Sequence, residues 1–312
     1  MSNSELAFIE RLRKIASDPA ARGLADDVAV LGDMVLTHDS IAEGVHFLKD
    51  DPPASVGWKL VAVNLSDLAA KGAAPVGALM SATIGDRDWD DAFLRGVAAA
   101  CETYKIPLLG GDTIALPDGA PRVLGLTAIG RADHPVPSRA GGKFGDKLWL
   151  VGTLGDAAAG LMALTGDTDA EGPLVEAYRR PIPQLVAGQA LAPHAHAMMD
   201  VSDGLLIDLD RMIRASGCGA TVDLDALPLS RAFIAEHRDD REARLFAATG
   251  GDDYALLCAF PPDFDASVRV SLPSGTILAP IGTLDEGSQL RLTDGLGEVP
   301  MPEHLGYEHR RP

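Results

Sequence analysis

The stretch AMMDVSDGLLIDL, residues 197–209, runs from an apolar segment into one with helical spacing, continued by Met212 and Ile213. Between the two lie Asp200, Ser202, Asp203 and Gly204. An apolar segment that turns into a helix through such a junction belongs to an α/β protein. Capping alone explains an acid in the place of Asp203, because its oxygen accepts from the first free amides of the helix. Other acids recur at similar junctions: Asp26 and Asp27 in LADDVAVL, Asp39 in LTHDS, and Asp112 in GGDT. Asp67 differs. Residues 58–71 carry Leu60, Val61, Val63, Leu65, Leu68 and Ala69 without a breaker, which predicts a buried helix with Asp67 inside it. A buried ionised carboxylate needs a cation or hydrogen-bond donors.

Outward from these segments the chain reads as two units. Leu6, Ile9, Leu12 and Ile15 sit at helical spacing, VAVLGDMVLTHDS alternates like a hairpin, and a helix is expected over residues 90–104. IPLLGGD and RVLGLTAIG read as strands. The Pro- and Gly-rich run DHPVPSRAGGKFGDK marks a boundary near residue 137. Beyond it LWLVG, TVDLD and DDYALLCAF read as strands, with a helix near 156–164. The expected domains are 1–136 and 137–312, each a mixed sheet with helices on its outer face.

Composition narrows the function. The 312 residues carry 45 acidic and 27 basic side chains, a formal net charge of -18, which argues against a nucleic-acid partner. Cys101, Cys218 and Cys258 are odd in number and widely spaced, as expected of reduced thiols in a cytoplasmic protein. The opening MSNSELAFIERLRKIA has acids and no apolar core of a signal peptide, and no apolar run approaches the roughly 18 residues that a membrane span needs. Asp-rich turns beside glycines, without paired His and Cys, favour Mg²⁺ and phosphate chemistry over zinc. His194 and His196 lack a third ligand in the sequence, and Trp58 and Trp149 read as core. The phosphate-binding loop G-x-x-x-x-G-K-[ST], the protein-kinase signatures and G-x-S-x-G are all absent.

Taken in order, LADDVAVL, THDSIAEGVHF, GWKLVAVNLSDLAAKGAAP, LLGGDT, LTAIGRA, SRAGGKFGDKLWLVGTLGDAAAGL, MMDVSDGLLIDLDRMIRASGCGATVDLDALPLS, GGDDYALL and GYEH resemble the thiamine-monophosphate kinase family. VNLSDLAAKGA and MDVSDGL are shared with the wider aminoimidazole ribonucleotide synthetase-like superfamily. EGVHF, RAGGKFGDK and GYEH point to the thiamine branch.

The resemblance implies a two-domain α/β subunit whose N-terminal strands form a β-barrel in a homodimer. It implies ATP as co-substrate, several Mg²⁺ ions, and transfer of the γ-phosphoryl group to thiamine monophosphate. Asp27, Asp39, Asp67, Asp112, Asp200 and Asp203 would hold the metals, with Thr37 and His38 beside them. Gly111, Asp112, Arg139 and Ser202 would contact ATP, and His46, Asp252 and Tyr307 would face the acceptor. An ionised phosphate acceptor needs no general base, so none is expected. Relatives commonly have Gly-Asp-Asp where this chain has Ala25-Asp26-Asp27, and Ser-Thr-Asp or Thr-Thr-Asp where it has Thr37-His38-Asp39. They commonly have Gly-Glu-Asp-Tyr-Glu where it has Gly251-Asp252-Asp253-Tyr254-Ala255. Two other readings stay open at this point, another enzyme of the superfamily and a non-catalytic nucleotide or thiamine sensor.

Overall fold

The computed structural model describes residues 5–117 and 119–308. The first half contains helix α1 (Glu5–Leu12), strands β1 (Ala29–Leu31) and β2 (Met34–Ala42), helix α2 (Pro53–Ala70) and strand β3 (Ala74–Ile84). Helix α3 (Arg87–Tyr104) and strands β4 (Leu108–Ala115) and β5 (Val123–Arg131) complete it. The five strands lie in the order β1-β2-β5-β3-β4, with only β3 and β4 parallel. The expected hairpin is therefore β1 with β2. Helix α1 stops at Leu12, short of the expected Ile15, which is exposed along with Phe8.

The second half contains strand β6 (Lys147–Val151), helices α4 (Asp156–Gly166), α5 (Pro173–Arg179) and α6 (Leu185–Leu191), strand β7 (Ala197–Val201), helix α7 (Leu205–Ser216) and strand β8 (Gly219–Asp223). It continues with helices α8 (Arg231–His237) and α9 (Arg241–Thr249), strand β9 (Ala255–Phe260), helix α10 (Ala266–Arg269), and strands β10 (Leu278–Asp285), β11 (Leu290–Asp294) and β12 (Gly297–Val299). The order of this sheet is β12-β11-β8-β10-β6-β9-β7, antiparallel except between β8 and β11.

Helix α2 positions the site. Pro53 opens it, where a missing N–H costs nothing, and Lys71 follows its last turn. All its residues from Ser55 onward are buried, as a helix apolar on every side must be. It packs on β2 and β5 of one sheet and on β7 and β9 of the other. One continuous core thus joins Leu60, Leu65 and Leu126 to Met198, Leu256 and Phe260. Full burial of each such leucine contributes about 1.5–3 kcal/mol. Helix α3 crosses α2 at backbone contact: a Cβ added to Gly96 would lie 1.9 Å from the Ala54 carbonyl oxygen, so a larger residue there would push the helices apart. Trp58 and Trp149 are buried, as expected.

Candidate metal and phosphate site

Three acids converge where the two sheets face α2. Asp27 comes from the loop before β1, Asp67 from the last turn of α2, and Asp200 from β7. One carboxylate oxygen of each lies within 4.8 Å of the others, the one such group of three among the described residues. Neighbours orient each acid. Thr37 on β2 donates to Asp67, and Ser66 donates to Asp200 at 2.6 Å. Arg139, from the turn after Ser138, pairs with Asp27 and so links the two halves. The Lys71 ammonium is 2.6 Å from Asp27, 2.7 Å from Asp26 and 2.9 Å from the Met198 carbonyl oxygen.

Charge in this cluster is out of balance. Burial, with Asp39, Asp200 and Asp27 close by, pushes Asp67 well above the usual carboxylate range. Burial and the charge of Asp27 raise Asp200 to about 8 and Asp39 to about 6. Burial opposes ionisation of Asp27 too, but Lys71 and Arg139 prevail and hold it at about 2. Crowded, desolvated carboxylates of this kind hold protons unless a cation joins them. All the donors are oxygens, which suits a hard divalent ion such as Mg²⁺.

The remaining expected ligands stand in different places. Asp39 shares a strand face with Thr37, and its amide donates to Asn64 Oδ1 at 2.8 Å. Strand alternation turns the His38 side chain to the opposite face of β2, where Nδ1 lies 2.9 Å from Thr127 Oγ1 and Nε2 3.3 Å from Ser40 Oγ. Capping also fails for Asp203, because Gly204 is the N-cap of α7 and no side chain caps it. The Asp203 carboxylate instead pairs with Arg211 at 2.6 Å. Asp112 is exposed on the edge strand β4, opposite Ser81, and is not one of the buried trio. Its neighbour Gly111 has a structural reason of its own: a Cβ there would lie 1.8 Å from the Met80 carbonyl oxygen.

The expected acceptor residues and Ser202 occupy adjoining loops. The Asp252 amide donates to the Ser202 carbonyl oxygen at 2.7 Å, and the Tyr307 amide to the Asp203 carbonyl oxygen at 2.9 Å. Asp252 has φ 69° and Tyr254 φ 52°, left-handed values that are uncommon outside glycine. Lys59, 2% exposed, pairs with Asp252 at 2.6 Å, and the Tyr254 hydroxyl donates to the same carboxylate at 2.9 Å. The Lys59 ammonium also lies 4.0 Å from the centre of the Tyr178 ring, whose hydroxyl donates to Asp51. Asp51 in turn accepts from the Leu48 amide, two residues beyond His46, whose Nδ1 accepts from the Ala42 amide. His309, the last residue of GYEH, lies outside the described residues.

Several residues of this region were not singled out by the sequence. Lys59 and Lys71 are cations within the apolar helical run, a signal open to notice. Asp208 is buried and accepts from the amides of Ser202 and Asp203, both at 3.0 Å, so it shapes the loop between β7 and α7. Arg211 bridges Asp203 and Asp208, the latter one helical turn before it. Of the pair His194 and His196, His196 meets the buried Asp146 at 2.9 Å, and His194 stacks on Phe264. Among the described residues, no helix is long and apolar enough to cross a membrane.

Comparison with known proteins agrees with the order of motifs. The model of the AIR synthase related protein N-terminal domain matches residues 25–132, and that of the C-terminal domain matches residues 143–295. A thiamine-monophosphate kinase of Caulobacter vibrioides is 38% identical over 98% of this chain and 91% of its own length. That of Escherichia coli K12 is 36% identical over 97% of this chain and 95% of its own. The solved structure of AaThiL complexed with AMPPCP and TMP superposes with a TM-score of 0.84 at 28% identity, covering 98% of this chain and 97% of that one. With two matching domain models in order and relatives of this similarity along almost its whole length, the chain belongs to the thiamine-monophosphate kinase family of AIR synthase related proteins.

Proposed function

We propose that this protein transfers the γ-phosphoryl group of ATP to thiamine monophosphate, giving thiamine diphosphate and ADP. The observation that carries the reading is the buried trio Asp27, Asp67 and Asp200, gathered between the two sheets in a fold that in AaThiL is complexed with AMPPCP and TMP. In this reading Asp27, Asp67 and Asp200 hold Mg²⁺, with Asp39, Asp203 and Asp112 as further ligands. Bound Mg²⁺ supplies neutralising charge to the phosphates. Thr37 and Ser66 fix the rotamers of Asp67 and Asp200, and Arg139 and Gly111 meet ATP beside Ser202. His46, Asp252 and Tyr307 face the acceptor.

The chemistry asks mainly for alignment and charge. An oxygen of the acceptor phosphate attacks the γ-phosphorus, the bond to the β-phosphate oxygen breaks, and ADP leaves; the acceptor oxygen is already ionised. Positioning residues and Arg139 therefore carry the protein's share of the work.

A homodimer joined through the N-terminal strands belongs to the same reading. Its support is the edge strand β4, exposed along its whole length, with Leu108 at 45%, Leu109 at 59% and Ile114 at 50%. An open apolar strand edge favours a partner strand. The extents 1–136 and 137–312 and a cytoplasmic location with free thiols complete the proposal. The test is direct measurement of thiamine diphosphate formed from ATP, Mg²⁺ and thiamine monophosphate. Thiamine itself lacks the attacking phosphate and should be a poor acceptor; equal rates with both acceptors would overturn the assignment.

A further inference from the structure

Lys71, at the end of α2, is fully buried, and its ammonium reaches the other two segments that bear the carboxylate trio. It follows Asp67 by one helical turn, contacts Asp26 and Asp27 in the loop before β1, and donates to the carbonyl of Met198, two residues before Asp200. Asp27 thus has Arg139 on one oxygen and Lys71 on the other. Asp26 keeps a second partner in Arg22 at 2.5 Å, so Lys71 is not needed merely to pair that acid. Apolar side chains can often replace a buried ion pair without loss of stability, so packing alone gives no reason for an ammonium at this place.

Resting on the metal reading above, we infer that Lys71 is a built-in cation of the carboxylate cluster, a positioning residue that fixes Asp27 and weakens the cluster's hold on a divalent ion. An ion bound to Asp27 shares that carboxylate with an ammonium only 2.6 Å from one of its oxygens. Two cations on one carboxylate repel strongly at such range, since little water screens them. A simple fastener would act in the opposite direction, because its loss would loosen Asp27 and weaken metal binding. The sign of the change separates the two roles.

The experiment is titration of the metal-free full chain with Mn²⁺, without nucleotide, following free Mn²⁺ by electron paramagnetic resonance. Two pairs of proteins each differ only in the ammonium: wild type against Lys71→Met, and Asp26→Asn against Asp26→Asn/Lys71→Met. The second pair also removes the Asp26 charge that Lys71 faces, so it reads the same difference if the single variant does not fold. Loss of the ammonium should lower the Mn²⁺ Kd at least about tenfold in each folded pair, a modest effect for one charge at this range. Lys71→Arg, which keeps the charge, should stay near wild type. Unchanged or weaker Mn²⁺ binding on loss of the ammonium overturns the inference while leaving the metal reading intact. No binding by any of the proteins removes both.

Discussion

Replacing Asp67 by Asn tests the metal reading where it is most exposed to failure. The substitution keeps the volume and a hydrogen-bonding oxygen for Thr37, and it removes the capacity for charge. Burial and the neighbouring carboxylates push the Asp67 carboxyl well above its usual range in the metal-free protein, which favours the uncharged form that Asn imitates. The metal-free variant should therefore melt within about two degrees of wild type. With metal the two should part. At a Mg²⁺ concentration a hundredfold above Kd, binding stabilises the native state by about 2.7 kcal/mol. An unfolding entropy of about 2.1 cal/mol/K per residue, over 312 residues, converts this to a rise of roughly 4 °C in Tm. The Asn variant should show less than about 1 °C of that rise, and its turnover should fall on the order of 10²- to 10³-fold. Melting curves with and without Mg²⁺, beside thiamine diphosphate formation, measure both. A variant that retains the full Mg²⁺ shift and wild-type turnover refutes Asp67 as a ligand, whereas a large loss of metal-free stability would show that its role is structural.

Two further outcomes follow from the same geometry. Asp252→Asn should raise KM for thiamine monophosphate about ten- to a hundredfold more than KM for ATP, and it should lower Tm because Lys59, 2% exposed, loses its charged partner; a proportional change in both KM values rules out the acceptor contact. The metal-free protein should become less stable as pH rises from 5 to 9. Asp39 at about 6, Asp200 at about 8 and Asp67, pushed well above its ordinary value by burial, bind protons more tightly than the unfolded chain, whose ordinary carboxylate value is 3.8. Their contribution is fully present below that value and is lost as pH climbs through the folded values. Asp27, lowered to about 2, acts in the opposite sense only below 3.8 and does not enter this window. Mg²⁺ should flatten the decline, and a Tm that rises steadily toward pH 9 without metal contradicts the balance of charges described here.

What could be read in the sequence divides along a physical line. Helix α2 was legible because an unbroken apolar run needs no partner to be recognised, and Asp67 stood out because no helix terminus explained it. Strands β2, β4, β5, β6 and β9 were legible from local apolar runs or alternation. The faces of single residues were harder. Thr37, His38 and Asp39 are neighbours in the chain, yet alternation sends the middle one to the far side, and only the pairing of β2 with β5 shows which side holds the acids. Asp203 sat where a cap belongs, but Gly204 begins the helix and Arg211 takes the carboxylate, a choice decided one turn further on. Lys71 was least legible. Its partners lie 45 and 127 residues away, so its sequence neighbourhood shows a cation in an apolar helix and nothing of what it meets. The position still carries information, because α2 bears a buried acid and a buried base one turn apart, and the base does not pair with that acid. It reaches past Asp67 to Asp26 and Asp27, leaving Asp67 among carboxylates without an ammonium of its own. That division of charge along one helix keeps one side of the site neutralised by protein and the other dependent on what binds there.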